Sequence, residues 1–351
     1  MYYNDKFLNK FRWKYISLRN RYFKLPKVPE GKNVAYVLGV SNHPNAGDQE
    51  ITLAQKKIIE KLLPNYVYIE VEKEVVPKVI QDIRNNIKSG DIVFLQGGGT
   101  FSNLYPEHEK PRELILKKLR DIPCPIVQFP VSFYFEDMES FRSIKDVYNN
   151  AHNLILFARE SKSFEILKSE LTIPVYHVPD IVLSQNESKK KKRSGDILIM
   201  FRRDKECILP VSLGSEIIHE FSKISNLIIT DNYVKNFVPT TKNNREKLLS
   251  NKFSEFNNAS LIITDRLHGM IFAYITKTPA IVFDNTYGKV KYSYLDWLSN
   301  CEYIKLLDAN TVSTQDVLDA YDALKSVNTE FSIDVDLVFK DLFSIINLNK
   351  I

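Results

Sequence analysis

The chain has 351 residues, more than one ordinary core requires and enough for two domains. Hydrophobic residues make up 44% of it and charged residues 26%, as in a soluble globular protein. The net charge of +5 suits small anions or an anionic surface and is too weak to indicate a nucleic-acid binder. The three cysteines are scattered, which indicates neither a disulfide framework nor a metal site and favours a reducing cytoplasm.

Residues 1–32 form a basic and aromatic N-terminal segment. Within residues 1–26, aromatic rings alternate with seven Lys or Arg residues, and the only acid is Asp5. Two interpretations are open: a helix at the surface of an anionic membrane, or a helix packed on the protein's own surface. There is no apolar run that could cross a bilayer and no signal peptide. We therefore expect a cytoplasmic protein, with peripheral contact at the inner face of a membrane as the open alternative.

The first domain is predicted to span residues 33–185. Apolar runs that indicate buried strands alternate with helical patterns, as in a parallel sheet covered on both faces. The predicted strands are 33–40, 66–71, 91–96, 125–130, 153–158 and 174–178. The predicted helices include 49–63, 74–88, 111–120 and 138–149.

A second domain is predicted over residues 197–351, after a linker at 186–196. The linker reads NESKKKKRSGD, which is charged and lacks apolar periodicity; a phosphate-binding patch is the alternative. Strands are predicted at 197–201, 226–231, 260–264 and 279–284, with helices at 213–224, 244–257 and 268–276 and a mainly helical tail from 290. The chain is therefore predicted to form two Rossmann-like α/β domains with a cleft between them.

Ligands of such sheets lie beyond the carboxyl ends of the strands, so the loops that follow strands are the candidate site. In the first domain these loops contain Asn45, Gly47 and Asp48, then Gly97, Gly98 and Gly99, then Arg159. Asp48 is placed to cap a helix that starts at Gln49, and the three glycines would let backbone N–H groups approach an anion or a sugar. Arg159 could instead hold the domain together by pairing with Glu160 or Asp180.

The equivalent loops of the second domain predict an anion site. They bring Arg202 or Arg203, Arg266, His268 and Lys289 to one edge of the sheet. A histidine among fixed cations suits proton transfer near neutral pH, although His268 could also be a buried structural residue. Asp265 is predicted to cap a helix or to orient its neighbours. His43, His108 and His152 are expected on the surface or in loops, and no residues have the spacing of metal ligands.

Several segments resemble the polysaccharide pyruvyl transferase family. They are NAGDQEITLAQ, GDIVFLQGGGTF, ARESKSFEIL, HVPDIVL and the long run from TDRLHGM to YLDWL, and they occur in the family's order between about residues 34 and 300. The resemblance implies a GT-B-like fold and transfer of pyruvate from phosphoenolpyruvate to a sugar, as a ketal across two hydroxyls. The acceptor would be a sugar or lipid-linked oligosaccharide of an exopolysaccharide or capsule precursor.

The resemblance also assigns roles to the candidate residues. The family's Arg-x-His motif corresponds to Arg266-Leu267-His268, and its other donor-site arginine corresponds to Arg202 or Arg203, of which Arg202 is preferred. We expect His268 to act as general acid, with Lys289 as a further phosphate ligand. The acceptor would lie on the first domain, with Asp48 and His108 as candidate bases. Phosphoenolpyruvate would be a co-substrate, and no metal or other cofactor is expected.

Two other functions remain open from the sequence. The architecture would also suit a glycosyltransferase that uses a nucleotide sugar, which tight binding of UDP or GDP without a response to phosphoenolpyruvate would favour. A non-catalytic protein of polysaccharide assembly would bind neither kind of donor.

Overall fold

The computed structural model describes residues 14, 16–104, 106–190, 192–234 and 239–349. Most of the basic aromatic segment, residues 1–13 and Tyr15, therefore lies outside the described residues. The described part of the chain contains two parallel β-sheets covered by helices. No helix within it is both long enough and apolar enough to cross a bilayer.

The first sheet is built from residues 34–177. Its strands are β1 (Val34–Val40), β2 (Val67–Glu72), β3 (Ile92–Leu95), β4 (Gly98–Ser102), β5 (Ile126–Tyr134), β6 (Leu154–Ala158) and β7 (Val175–His177). They lie in the order β2-β1-β3-β5-β6-β7, and β4 pairs with β5. The helices are α1 (Ala46–Leu62), α2 (Val76–Asn86), α3 (Pro106–Leu119), α4 (Met138–Asn149) and α5 (Ser161–Glu170), and a short 3-10 helix (Ile181–Ser184) follows β7.

The second sheet follows the same plan. Its strands are β8 (Ile197–Met200), β9 (Leu227–Ile229), β10 (Leu261–Thr264), β11 (Ala280–Phe283) and β12 (Ile304–Leu307), in the order β12-β11-β10-β8-β9. The helices are α6 (Val211–Ser222), α7 (Arg245–Asn258), α8 (Leu267–Ile275), α9 (Lys289–Ser293), α10 (Thr314–Leu324), α11 (Val335–Val338) and α12 (Lys340–Leu348). The turn Tyr294–Leu298 continues α9.

The tail from residue 290 is mainly helical, as predicted, and it also contains strand β12. The sequence prediction was wrong at two other points of this architecture. Only Gly97 of the three glycines lies in a loop, because Gly98 begins strand β4, which pairs in parallel with β5. Helix α3 begins at Pro106 rather than near 111, with Pro111 inside its first turns. Glycine and proline indicate breaks in local structure, and here pairing and packing with neighbours override them.

One hydrophobic cluster is shared by the two sheets, and each sheet also has a cluster of its own. The shared cluster of buried side chains includes Val37 of β1, Ile262 of β10 and Phe272 of α8. The described residues of 186–196 contain no helix or strand but bind the second sheet's helices, since Glu187 N donates to Ile275 O at 2.8 Å and Ser194 N to Asn258 O at 2.7 Å. The Lys61 ammonium of α1 lies 6.0 Å from the Phe343 ring of α12. The tail therefore packs back against the first sheet's helices.

Each sheet has one point at which the strand order reverses, and the site loops flank it. In the first sheet this point lies between β1 and β3, which are followed by residues 41–45 and 96–97. In the second it lies between β8 and β10, which are followed by 201–206 and 265–266. Adjacent parallel strands that diverge into different crossovers leave a crevice at their carboxyl ends. Both crevices open into the space between the domains.

Candidate active site

A cleft of about 930 Å³ lies between the two domains. It is large enough for two small substrates, or for one small substrate and the end of a larger one. The first domain supplies the predicted residues Asn45, Asp48, Gly99 and Arg159. The second supplies Arg202, Arg266, Leu267, His268 and Lys289. Loops far apart in the sequence therefore meet at one place, as the rule for strand ends predicts.

Four of the predicted residues are not part of the cleft lining. The side chain of Arg203 is exposed outside the cleft, so that Arg202 is the arginine of this loop that lines the donor side. Gly97 and Gly98 lie behind the cleft, near the Pro130 carbonyl and the Ile51 side chain. Gly47 lies beneath His268, and a Cβ at this position would be 2.4 Å from His268 Nδ1. The glycine at 47 is therefore required by the close approach of the histidine ring.

The cap of helix α1 differs from the prediction. Asn45, not Asp48, is the N-cap, because its side chain accepts a hydrogen bond from Gly47 N at 2.9 Å and the helix begins at Ala46. Asp48 consequently lies in the first turn, and its carboxylate borders the cleft. This position leaves Asp48 available to a ligand.

His268 lies in the first turn of α8, directly after the N-cap residue Arg266 and Leu267. Its Nε2 is 3.5 Å from Asp180 Oδ2, a distance typical of an ion pair but long for a hydrogen bond. Burial disfavours the charged form of Asp180, but His268 and then Arg159 outweigh it and lower the pKa of this carboxyl. Asp180 is therefore an anion that lies beside Nε2 of the imidazole.

Arg159 is a buried member of the same charge chain. Its side chain is 1% exposed, and its Nη1 donates to Asp180 Oδ2 at 2.6 Å. Its Nε donates to Ser132 Oγ at 2.7 Å and lies 3.5 Å from Glu160 Oε2. Both pairings considered from the sequence are thus present. A Cβ on Gly99 would lie 3.0 Å from Arg159 Nη2, so this glycine leaves space for the guanidinium at the cleft.

Arg202 and Arg266 converge on one carboxylate. Arg202 Nε donates to Asp204 Oδ1 at 2.9 Å, and Arg266 Nη1 lies 3.3 Å from Asp204 Oδ2. Arg266 Nη2 also pairs with Asp231 Oδ2 at 2.7 Å, and Arg202 Nη2 contacts Glu206. Asp204 therefore holds the two guanidinium groups next to each other.

Lys289 completes the group of cations. Its Nζ donates to Glu206 Oε2 at 2.7 Å and to the Tyr287 hydroxyl at 3.0 Å. Burial lowers the pKa of Lys289 to about 8, although Glu206 opposes this shift. Burial also disfavours ionised Glu206, but Lys289 and Arg202 outweigh it and lower the pKa of this carboxyl. Lys289 and Arg202 thus share one buried counter-ion.

Asp265 orients the donor-side loops and is not a helix cap. Its Oδ1 accepts a hydrogen bond from Arg202 N at 2.7 Å, which ties the loop after β8 to the end of β10. It is fully buried, and burial raises the pKa of this carboxyl to about 6. Of the two roles expected for Asp265, the structure thus shows that of orienting its neighbours and not that of capping a helix.

The wall that the first domain contributes contains two histidines, of which His43 lies in a loop, as expected, and His108 lies in helix α3. His43 Nε2 lies 3.5 Å from Asp48 Oδ2, and the His43 ring meets the His108 ring edge-on at 5.6 Å. Lys73 Nζ lies 2.8 Å from His108 Nε2. Burial, and then the charge of Lys73, lower the pKa of His108 well below its usual value. Both histidines line the cleft, whereas His152 is exposed elsewhere.

Three acidic partners of the site, Asp204, Glu206 and Asp231, were not predicted from the sequence. Asp204 and Glu206 lie in the same loop as Arg202, so the strand-end rule could have included them. Asp231 follows strand β9 in the same way. Asp180 follows strand β7 and was considered from the sequence only as a partner of Arg159; its approach to His268 is decided by the tertiary structure.

Known proteins resemble this chain in sequence and in fold. It matches the polysaccharide pyruvyl transferase family over residues 45–287. General stress protein 30 of Bacillus subtilis is 33% identical over 285 residues, 80% of this chain and 82% of that protein. Pyruvyl transferase 1 of Schizosaccharomyces pombe is 27% identical over 289 residues, 77% and 71% of the two chains.

Solved structures agree on the architecture. The UDP-GlcNAc 2-epimerase from Methanocaldococcus jannaschii superposes with a TM-score of 0.52 at 15% identity, over 90% of this chain and 99% of that one. At this level of identity the likeness concerns the fold alone, and it confirms the prediction of two Rossmann-like domains in a GT-B-like arrangement. Because the family match covers most of the chain and includes the Arg266-Leu267-His268 motif at the cleft, this protein belongs to the polysaccharide pyruvyl transferase family.

Proposed function

We propose that this protein transfers the pyruvate unit of phosphoenolpyruvate to a sugar of a capsule or exopolysaccharide precursor and forms a ketal across two hydroxyls. Family membership supports pyruvyl transfer onto a polysaccharide. The observation that carries the donor assignment is the convergence of Arg202, Arg266 and Lys289 beside His268 at one edge of the cleft. Phosphoenolpyruvate has a carboxylate, a phosphate and a carbon that must be protonated, and this set of side chains offers a partner for each.

The cations would bind the donor by exchanging partners. Arg202, Arg266 and Lys289 contact Asp204, Asp231 and Glu206. The donor's carboxylate and phosphate would take over some of these contacts, in two-point geometry at the guanidinium groups. The same groups would stabilise the phosphate as it leaves. These side chains supply positive charge, so the proposal requires no metal and no further cofactor.

The protons of the reaction balance without an outside source. Two sugar hydroxyls lose one proton each as their oxygens bond to the central carbon of the donor. One proton ends on the donor's methylene carbon, which becomes a methyl group, and the other ends on the released phosphate. His268 would deliver the proton to the methylene carbon while Asp180 stabilises the imidazolium.

Asp48 and His43 are the best candidates for accepting the hydroxyl protons. They form a pair that borders the cleft, and Asp48 directly follows Gly47, which contacts the His268 ring. His108 is less suitable, because burial and Lys73 lower its pKa and Nε2 lies against the Lys73 ammonium. The acceptor would thus lie on the first domain. The proposal includes a peripheral contact of residues 1–26 with the inner face of a membrane, where lipid-linked acceptors occur.

The test is to incubate the protein with phosphoenolpyruvate and a galactoside or mannosaminide acceptor. Mass spectrometry should detect an acceptor that has gained one pyruvate ketal, with release of an equal amount of phosphate. His268→Ala should lower the rate on the order of a hundredfold or more, whereas His152→Ala should leave it unchanged. Wild-type turnover by the His268 variant would exclude it as the acid, and binding of UDP without phosphoenolpyruvate turnover would favour a glycosyltransferase.

A further inference from the structure

The N-terminal helix forms one lip of the cleft. The described residues 16–22 are helical, and Ile16 is buried, at 4% exposure, where it lines the cleft together with Pro77 and Pro111. The basic side chains of Lys73 and Lys110 border the same end of the cleft. This helix therefore lies at the entrance beside the first domain, on the side proposed for the acceptor.

The helix is firmly attached to the first domain. Arg19 forms an ion pair with Glu72 at the end of β2. Lys78 Nζ donates to the carbonyls of Asn20, Arg21 and Phe23 at 3.0, 2.6 and 3.0 Å, which satisfies the C-terminal end of the helix. The side chains that follow, Phe23, Leu25 and Val28, pack against the first domain's core.

The described part of the chain leaves the opposite face of the helix uncovered. Leu18 is 58% exposed and Tyr22, one turn later, is 70% exposed. Lys14, Arg21 and Lys24 are exposed around them. We call these five residues the docking face. Of the two interpretations open from the sequence, packing on the protein's own surface accounts for Ile16 but not for these five.

We propose that the docking face binds an anionic phospholipid bilayer and so brings the entrance of the cleft to a lipid-linked acceptor. Leu18 and Tyr22 match the interfacial region of a bilayer, because one is apolar and the other joins an apolar ring to a polar hydroxyl. The three bases match the negative charge of the lipid headgroups. The bilayer would then lie against the outer face of the helix while the sugar enters past Ile16.

Vesicle binding tests the surface independently of catalysis. The full chain should co-sediment with phosphatidylcholine vesicles that contain phosphatidylglycerol, less with phosphatidylcholine alone, and less at high salt. Leu18→Glu/Tyr22→Glu and Lys14→Glu/Arg21→Glu should each weaken binding at least tenfold. The control is Lys189→Glu/Lys190→Glu, which reverses the same charge in the exposed basic run of 186–196 and should bind like the wild type.

The control variant also shows whether the vesicles bind the docking face or the basic run of 186–196. If the wild type does not sediment with anionic vesicles, or if the Lys189/Lys190 variant loses binding while the docking-face variants keep it, the proposal is overturned. Thermal unfolding of every variant should match the wild type, since all the substituted side chains are exposed, and a lowered Tm would remove that variant from the comparison. Leu18→Ala/Tyr22→Ala then serves as the milder second variant.

Kinetics test the link to the acceptor, a step that rests on the proposed function. With a soluble sugar acceptor, docking-face variants should keep the wild-type kcat/KM. With a lipid-linked acceptor in anionic vesicles, their kcat/KM should fall at least tenfold. If the docking-face variants keep the wild-type kcat/KM on both acceptors, the docking face does not bring the cleft to a lipid-linked acceptor, even if vesicle binding is lost. Absence of turnover by the wild type on either acceptor would contradict the proposed reaction and leave the vesicle result standing by itself.

Discussion

At the scale of single residues, the position of His268 depends on an element of the other domain. One side of its ring rests on the backbone of Gly47, and Nε2 faces Asp180. Both contacts come from the first domain, whereas His268 belongs to the second. The imidazole is therefore oriented only when the domains are together.

Replacing Gly47 by Ala should disable the site without unfolding the protein. The added Cβ would lie 2.4 Å from His268 Nδ1, so the ring must move. A displacement of about 1 Å in a catalytic group can cost on the order of a hundredfold in rate, and we expect kcat to fall at least tenfold. Steady-state kinetics and a thermal unfolding curve on the same sample measure the two effects separately.

Gly214→Ala is the matched control for this substitution. Gly214 also lies in a helix, α6, where a Cβ would meet nothing closer than 3.6 Å. Because Ala favours a helix over Gly by about 0.5–1 kcal/mol, this variant should be slightly more stable and fully active. Unchanged kcat in Gly47→Ala would show that the ring tolerates displacement and would remove His268 from a position-sensitive role.

At the scale of elements, helix α8 is held at both ends. Its N-terminal end carries Arg266 and His268, and its C-terminal end is bound by the Arg193 guanidinium. The Arg193 guanidinium donates to carbonyls at the C-terminal ends of α7 and α8 and in the turn that follows α8. These acceptors are the Phe256, Asn257, Ala259, Thr276 and Lys277 carbonyls and the Thr278 hydroxyl. A cation at the negative end of a helix dipole is favourable, and here it joins α7 to α8.

Arg193→Ala should therefore lower the free energy of unfolding by about 2–4 kcal/mol, because several carbonyls lose a charged donor. Arg193→Lys should recover only part of this, since an ammonium cannot reach acceptors on both sides as a planar guanidinium does. Urea denaturation measures the difference. The neighbouring Lys192 is exposed, and Lys192→Ala is expected to be neutral. Equal stability of the Ala variant and the wild type would contradict the assigned role.

Element boundaries show what local patterns could predict. Helix α8 was predicted at 268–276 and lies at Leu267–Ile275, and strand β1 matches within one residue. These segments combine strong apolar periodicity with clear ends. Strand β4 was missed because a glycine-rich run has little strand propensity of its own, and its ladder with β5 compensates for this.

At the scale of the whole molecule, the domains are joined by a polar network as well as by the shared core. Arg245 of α7 pairs with Glu70 of β2 at 2.6 Å, and Trp297 Nε1 donates to the Arg159 carbonyl at 2.9 Å. The loop before α1 meets the loop after β9, where Ala46 N donates to Asn232 O at 2.8 Å. These contacts set how far apart the two halves of the cleft stand.

A buried carboxyl near this interface should make stability depend on pH. Glu50 of α1 is fully buried, neither of its carboxylate oxygens has a hydrogen-bond partner among the described residues, and burial raises its pKa to about 8. Between the ordinary carboxyl pKa and pH 8 the unfolded chain releases this proton and the folded chain retains it. The folded state therefore binds more protons, and stability falls as pH rises through this range.

Glu50→Gln should remove this penalty. At pH 4 the variant should match the wild type, and the stability it gains should grow up to pH 8 and then level off. One pKa unit corresponds to about 1.4 kcal/mol, so the gain is on the order of a few kcal/mol. Glu60→Gln, on the exposed side of the same helix, is the control and should change stability little at any pH. A gain that does not vary with pH would contradict the assigned ionisation.

The amino-acid sequence by itself determined the class of this molecule and the location of its chemistry. Alternation of apolar runs and helical patterns is a local property, and it fixes two parallel-sheet domains because each strand must be buried on both faces. The strand-end rule and the Arg266-Leu267-His268 motif then indicated the donor side. The sequence did not determine the distances between these side chains.

Only the tertiary structure decided which groups work together. It brought Asp180 to His268 and placed Gly47 beneath the imidazole, although these residues lie far apart along the chain. It also paired His43 with Asp48, five residues further on, at the wall of the cleft. It also gave every donor-side cation a carboxylate partner. The physical reason is that burial of a charge is costly unless a counter-charge is near, and the chain can supply that partner from any segment that packing brings close.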